Sequence, residues 1–230
     1  MITTIAFDAD DTLWHNERIF LSTKDKFTAL LSGFHDKIYI ERHLDATETK
    51  NIKHFGYGVK GFTLSMIETA CELTEGRITG DKIKDIIAFA KDMLASPIEV
   101  LDGVEDTIKS LSAEYRLICI TKGDLLDQET KLARSGLGEY FDALEIVPRK
   151  VPETYENILK RHDLSKNEFV MVGNSLRSDI LPVIEIGAKA VFIPYESEWF
   201  HEAVSAEELQ GKIFTTLENI GKLRDWIQTQ

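Results

Sequence analysis

Five short apolar runs constrain the fold more than any other feature of this chain. They are "ITTIAF" at 2–7, "RLICIT" at 116–121, "DALEIV" at 142–147, "EFVMV" at 168–172 and "KAVFIP" at 189–194. They are rich in Ile, Val and Phe with little polar alternation, as strands covered on both faces are. Amphipathic stretches of helix length, 124–136, 153–163 and 178–187, separate the last four. Strand and helix in alternation predict a parallel sheet with right-handed crossovers, an α/β core with helices on both faces. The runs "SAEE" at 205–208 and "TTLE" at 215–218 both spell capping boxes, so helices are expected to close the chain.

The interval between the first two runs breaks the pattern. Residues 15 to about 95 hold helical patterns at 17–32, 62–75 and 81–94 but no strand, far more chain than one crossover needs. This predicts a helical insertion at 15–96, with residues 1–14 and 97–230 forming the α/β core. Within it, "HFGYGVKGF" places Gly56, Gly58 and Gly61 in the letter pattern of a dinucleotide fingerprint. Such a loop must follow a buried strand. The residues before it, "ETKNIKHF", are polar and helical, so the expectation is an interhelical turn, with Lys60 placed to reach an anionic group or simply solvated.

The chain carries 27 basic and 39 acidic residues, a formal charge of −12, with no compact Lys/Arg cluster, which argues against a nucleic-acid partner. Cys71 and Cys119 stand far apart and suggest neither a disulfide framework nor a metal cage. "MITTIAFDAD" reaches carboxylates before any signal-length apolar run, and no segment has the length of a membrane span, so a cytosolic setting without membrane contact is the expectation. The six histidines show no paired ligand spacing, and His201 is expected at the surface. Ser175 lacks the G-x-S-x-G context of a nucleophilic serine.

Ligands of an open parallel sheet bind outside the carboxyl ends of its strands. "FDADDTL" follows the first strand, Thr121-Lys122-Gly123 the second, Arg149-Lys150 the third and "GNSLRSD" the fourth. Asp8 and Asp10, two apart on an extended segment, point to one side, and paired carboxylates need a cation between them to stay ionised. Mg²⁺ suits such a site, because it takes few protein carboxylates and keeps substrate phosphate in its shell. Asp8 and Asp179 supply the carboxylates, and a cation from Lys150 balances the phosphate. Asp11 is expected only to turn the chain.

"FDADDTL" resembles the D-x-D-x-T motif of the haloacid dehalogenase-like superfamily, "ICIT" its second motif, Lys150 its third and "MVGNSLRSDI" its fourth. The insertion is similar to the helical cap of one branch of that superfamily. The resemblance implies a Mg²⁺-dependent phosphatase acting on a small phosphorylated metabolite. Asp8 would be the nucleophile, and Asp10 the acid and then the base, its carbonyl touching the metal. Thr121 would bond the phosphate, Lys150 would bridge nucleophile and phosphate, and Asp179 would hold Mg²⁺ with Asn174 beside it. Lys122, Gly123 and Lys60 are further candidates for substrate contact.

Two positions depart from the family pattern. Gly173-Asn174 stands where Gly-Asp is frequent, and an amide brings no charge to the metal. Arg149 rivals Lys150, which is favoured because "KVPETY" matches a family run without a gap. The alternatives are a haloacid dehalogenase, which usually lacks a second aspartate such as Asp10, another transferase or mutase of the superfamily, and a binding protein with a decayed site.

Overall fold

The computed structural model describes residues 1–196 and 202–230; His201 lies outside the described residues. The strands are β1 (Thr4–Phe7), β2 (Arg116–Lys122), β3 (Ala143–Val147), β4 (Phe169–Gly173), β5 (Lys189–Phe192) and β6 (Thr215–Thr216). They form one sheet in the order β3-β2-β1-β4-β5-β6, and every neighbouring pair is parallel. The α/β class expected from the alternation is therefore the observed one. The order reverses at β1: the chain moves outward through β2 and β3, then returns to place β4 on the other flank of β1. Such a switch point opens a crevice beyond the carboxyl ends of β1, β2 and β4.

The chain divides into two compact units. One comprises Met1–His15, Ile98–Lys122 and Gln128–Gln230; the other comprises Asn16–Pro97 and Gly123–Asp127.

In the first unit, side chains alternate across the sheet, and each face is buried under helices. Phe7, Leu117, Cys119, Val170 and Val172 pack with α5 (Val104–Ser112) and α10 (Leu223–Ile227). Ala6, Ile118, Ile120, Phe169 and Met171 pack with α7 (Pro152–Arg161) and α8 (Leu181–Glu185). Each large side chain removed from water in this way contributes roughly 1.5–3 kcal/mol. A sheet dry on both faces gives the strand ends a rigid base.

The second unit contains α1 (Glu17–Leu31), α2 (Lys37–Phe55), α3 (Val59–Leu73) and α4 (Gly80–Ala95) around Phe27, Leu31, Leu44, Phe62, Met66 and Ile86. Asp36 caps α2 by accepting from the Tyr39 amide at 3.0 Å, and Thr79 caps α4 by accepting from Lys82. Gly56 and Gly58 form the expected turn, with φ of 74° and 113°. Gly61 does not belong to that turn. It lies inside α3, where a Cβ would stand 2.8 Å from the Gly56 carbonyl oxygen, so a glycine is needed for close approach. The residues before the turn are the helix α2, which removes the strand a dinucleotide loop requires.

Near the C-terminus, Ser205 opens α9 (Ala206–Leu209) with the expected capping box. Thr215 and Thr216 instead add the short strand β6 beside β5, in register with Val191 and Phe192. The letters "TTLE" therefore open no helix, because the edge strand takes up the Thr215 and Thr216 backbone, and the closing helix α10 begins only at Leu223.

Candidate active site

Asp8, at the carboxyl end of β1, is 8% exposed, and its backbone amide donates to the Val172 carbonyl of β4 at 2.9 Å. The pleat that follows aims Asp10 at a second set of partners. Trp14 Nε1 (2.8 Å), Gln128 Nε2 (2.9 Å) and Lys131 Nζ (3.0 Å) all donate to the Asp10 carboxylate. Asp11 takes φ of 61° and its amide donates to the Trp14 carbonyl at 2.7 Å, which makes it the turn residue expected. Gln128 and Lys131 lie three apart on one face of α6 (Leu125–Arg134). That i, i+3 spacing of polar groups on an amphipathic helix was the available signal, and sequence reasoning missed it.

Lys150 is buried, donating to Asp8 Oδ1 and to Asp179 Oδ1, the latter at 2.7 Å. Arg149 is exposed and uses its carbonyl to accept from Thr154 Oγ1, so the geometry selects Lys150 as the cation joining the two carboxylates. Asp179 is fully buried on a single π-helical turn, Leu176–Ile180, that leads into α8. Turns of this kind recur at functional sites because the wide loop re-aims a side chain. Its Oδ2 accepts from the Ser175 amide at 3.0 Å, and Tyr155 Oη braces the turn by donating to the Ser178 carbonyl at 2.9 Å.

The electrostatics follow from this burial. Burial first, and then the Asp179 charge, push the Asp8 carboxyl up to about 7 against the opposing pull of Lys150. Burial works against the Lys150 ammonium, but Asp179 and Asp8 outweigh it and hold Lys150 above its ordinary range. Asp10 behaves differently. Burial raises its carboxyl, yet Lys131, Gln128 and Trp14 together bring it below the usual value. Two carboxyl groups two residues apart are thus driven in opposite directions by their different partners.

Oxygen atoms also converge beside Asp8. One end of the Asn174 carboxamide lies 3.1 Å from Asp8 Oδ2, 3.2 Å from the Asp10 carbonyl oxygen and 3.0 Å from Thr12 Oγ1. With nitrogen at that end the amide donates into the cluster; turned over, its oxygen accepts from Thr12 Oγ1 at 3.0 Å and faces the Asp8 and Asp10 oxygens. Among the described residues no three Asp, Glu, His or Cys side chains form a metal cluster. A set of two carboxylates, a backbone carbonyl and an amide instead fits a hard cation with oxygen ligands.

Thr121 and Lys122 close the neighbouring edge. Thr121 is buried at the end of β2, its Oγ1 3.3 Å from the Lys122 carbonyl. Lys122 Nζ donates to Ser178 Oγ at 2.9 Å and to the carboxylate of Glu202. Glu202 also accepts from Ser175 Oγ and Ser178 Oγ; burial raises its carboxyl, but Lys122 leads the opposing interactions and the net shift is downward. Sequence reasoning singled out neither Glu202 nor the two serines as partners of this edge. Lys60 and Gly123 fall in the helical unit. Lys60 stands on α3 with Nζ 3.3 Å from Asp124 Oδ1, while Gly123 takes φ of 133°. The structure therefore brings Asp8, Asp10, Thr121, Lys122, Lys150, Asn174 and Asp179 together on the α/β unit, and pairs Lys60 with an acid.

Residues 2–187 match the family model of haloacid dehalogenase-like hydrolases. The chain belongs to that family. A 5-amino-6-(5-phospho-D-ribitylamino)uracil phosphatase, YigB of Escherichia coli, is 25% identical over 209 residues, which is 85% of each chain. A glyceraldehyde 3-phosphate phosphatase of Methanothermobacter thermautotrophicus is 29% identical, over 98% of this chain and 99% of its own. The crystal structure of a haloacid dehalogenase-like hydrolase from Xanthomonas campestris superposes with a TM-score of 0.86 at 39% identity, covering 99% of this chain and 91% of the other. No helix among the described residues is long and apolar enough to cross a membrane.

Proposed function

We propose that the protein is a Mg²⁺-dependent phosphatase that hydrolyses a small phosphomonoester through a phosphorylated Asp8. The observation that carries this reading is the Lys150 ammonium held between Asp8 and Asp179 at the carboxyl ends of the strands. Phosphatases among the relatives support it, and both named substrates are small phosphorylated compounds.

Asp8, Asp179, the Asp10 carbonyl and the Asn174 amide oxygen would hold Mg²⁺, which when bound neutralises charge on the phosphate and on Asp8. Asp8 Oδ attacks phosphorus, and the bond from phosphorus to the ester oxygen breaks. Asp10 gives the departing oxygen its proton, then takes one from the water that attacks the phosphoryl group. That attack breaks the Asp8–phosphorus bond and restores the carboxylate. Lys150 opposes the rise that burial and Asp179 impose on the Asp8 carboxyl, and Thr121 orients the phosphoryl oxygens. The firm hold of Lys131, Gln128 and Trp14 on Asp10 favours its ionised form, which suits the base half of the cycle. The acid half requires its proton to arrive with substrate. A dedicated proton carrier at position 10 supports phosphatase over dehalogenase chemistry. The helical unit would act as the cap that admits small substrates, and Lys60 would act there only after leaving Asp124.

The test is phosphate release from a panel of small phosphomonoesters with Mg²⁺ and with EDTA. Release that needs the metal and is lost in Asp8→Asn supports the reading. Release that survives Asp8→Asn contradicts it.

A further inference from the structure

Glu202 lies far from every motif in the sequence, yet its carboxylate sits against the two elements that carry the site. Three donors meet on it: Lys122 Nζ at the end of β2, Ser175 Oγ just before the π-helical turn, and Ser178 Oγ, at 2.6 Å, within it. Each serine hydroxyl already accepts another bond. Ser175 Oγ accepts from the Ser178 amide at 2.9 Å, and Ser178 Oγ accepts from Lys122 Nζ at 2.9 Å. Both hydroxyl protons are therefore directed at Glu202. Ser175 and Ser178 are buried, and the Glu202 and Lys122 side chains are only 12% and 15% exposed.

We infer that Glu202 is a positioning residue that locks the Asp179 turn to the end of β2 and so fixes the metal-binding oxygens. Two hydrogen-bonded paths run from it. One passes through Ser175, whose amide donates to Asp179 Oδ2 at 3.0 Å. The other passes along Lys122 to its carbonyl, which accepts from Gln128 Nε2 at 2.9 Å, and the same nitrogen donates to Asp10 Oδ2 at 2.9 Å. Only an acceptor with more than two lone-pair sites satisfies three donors at once, which a carboxylate does and an amide oxygen does not. Outer partners that orient ligands in this way typically change metal affinity by about 10–100-fold when removed.

The inference rests on the proposed placement of Mg²⁺ at Asp8 and Asp179, and its test reads binding rather than turnover. Mg²⁺ is titrated calorimetrically into the wild type, Glu202→Gln, Lys122→Met and the double variant, with a thermal melt of each. Glu202→Gln is expected to weaken Mg²⁺ about tenfold. The double variant combines Lys122→Met with Glu202→Leu, which removes the ammonium together with its carboxylate, so the melt recovers, while Mg²⁺ affinity stays low because both serine hydroxyls lose the acceptor they share. Unchanged affinity in Glu202→Gln, or full recovery of affinity in the double variant, would reduce Glu202 to a counter-ion for Lys122 and overturn the inference. A wild type that binds Mg²⁺ but hydrolyses no p-nitrophenyl phosphate or metabolite ester would overturn the phosphatase reading and leave this result standing.

Discussion

Gly173 and Asp179 are packed so tightly that a Cβ at position 173 would stand 2.2 Å from Asp179 Oδ2. The last residue of β4 therefore has no side chain because the carboxylate of the following turn occupies that space. Gly173→Ala is expected to push Asp179 off Lys150 and the Ser175 amide. Such overpacking typically costs about 1–3 kcal/mol. Denaturant melts should show that loss, and Mg²⁺ titration should show weaker binding. A variant with wild-type stability and affinity would mean that the turn yields freely.

Lys150 separates two buried carboxylates, so its removal leaves like charges facing each other. Lys150→Met is expected to cost roughly 3–5 kcal/mol at neutral pH without metal. Added Mg²⁺ should restore part of it by standing in as the cation, and acid should shrink the deficit as Asp8 takes up a proton. Urea melts with and without Mg²⁺ check both effects. A loss independent of Mg²⁺ and pH would point to packing alone.

Asp10 is held ionised by Lys131 ahead of Gln128 and Trp14. Lys131→Met raises the proton affinity of Asp10, so the protonated acid survives to higher pH. The basic limb of the pH profile of kcat/KM should move upward relative to wild type. An unmoved basic limb would assign the proton donor elsewhere.

Glu48, buried on α2, has its carboxyl raised by burial from 4.5 to about 7, with Lys24 opposing and Asp45 reinforcing the shift. The unfolded chain ionises first as pH rises, so the group removes stability progressively between 4.5 and about 7. At about 1.36 kcal/mol per pH unit, the loss is on the order of 3 kcal/mol above that window. Glu48→Gln should therefore raise the thermal midpoint above pH 7 and leave it nearly unchanged below 4.5. An equal gain at both ends would exclude the titration.

The chain disclosed its sheet because buried parallel strands leave continuous apolar runs, and Phe169, Val170, Met171 and Val172 form one such run. The gathering of Asp8, Lys150 and Asp179 was legible because open sheets bind ligands beyond their strand ends, while the preference for Lys150 over Arg149 came from the family resemblance. Helix α2 was only partly legible, since its buried face carries Thr47, Glu48 and Asn51, and these polar positions break the apolar period. β6 was hidden because two residues carry no period. Glu202 was hidden for a different reason. Its partners lie 24, 27 and 80 residues away, and only the folded sheet brings them together.

The central claim is that Asp8 carries the phosphoryl group. The most direct measurement quenches turnover of a phosphomonoester and reduces the trapped enzyme with borohydride, which converts an acyl phosphate to an alcohol. Reduction at position 8 in the wild type, absent when substrate is omitted and absent from Asp8→Asn, is the predicted result. Sustained phosphate release with Asp8 left unmodified, or reduction at another carboxylate, would contradict the account.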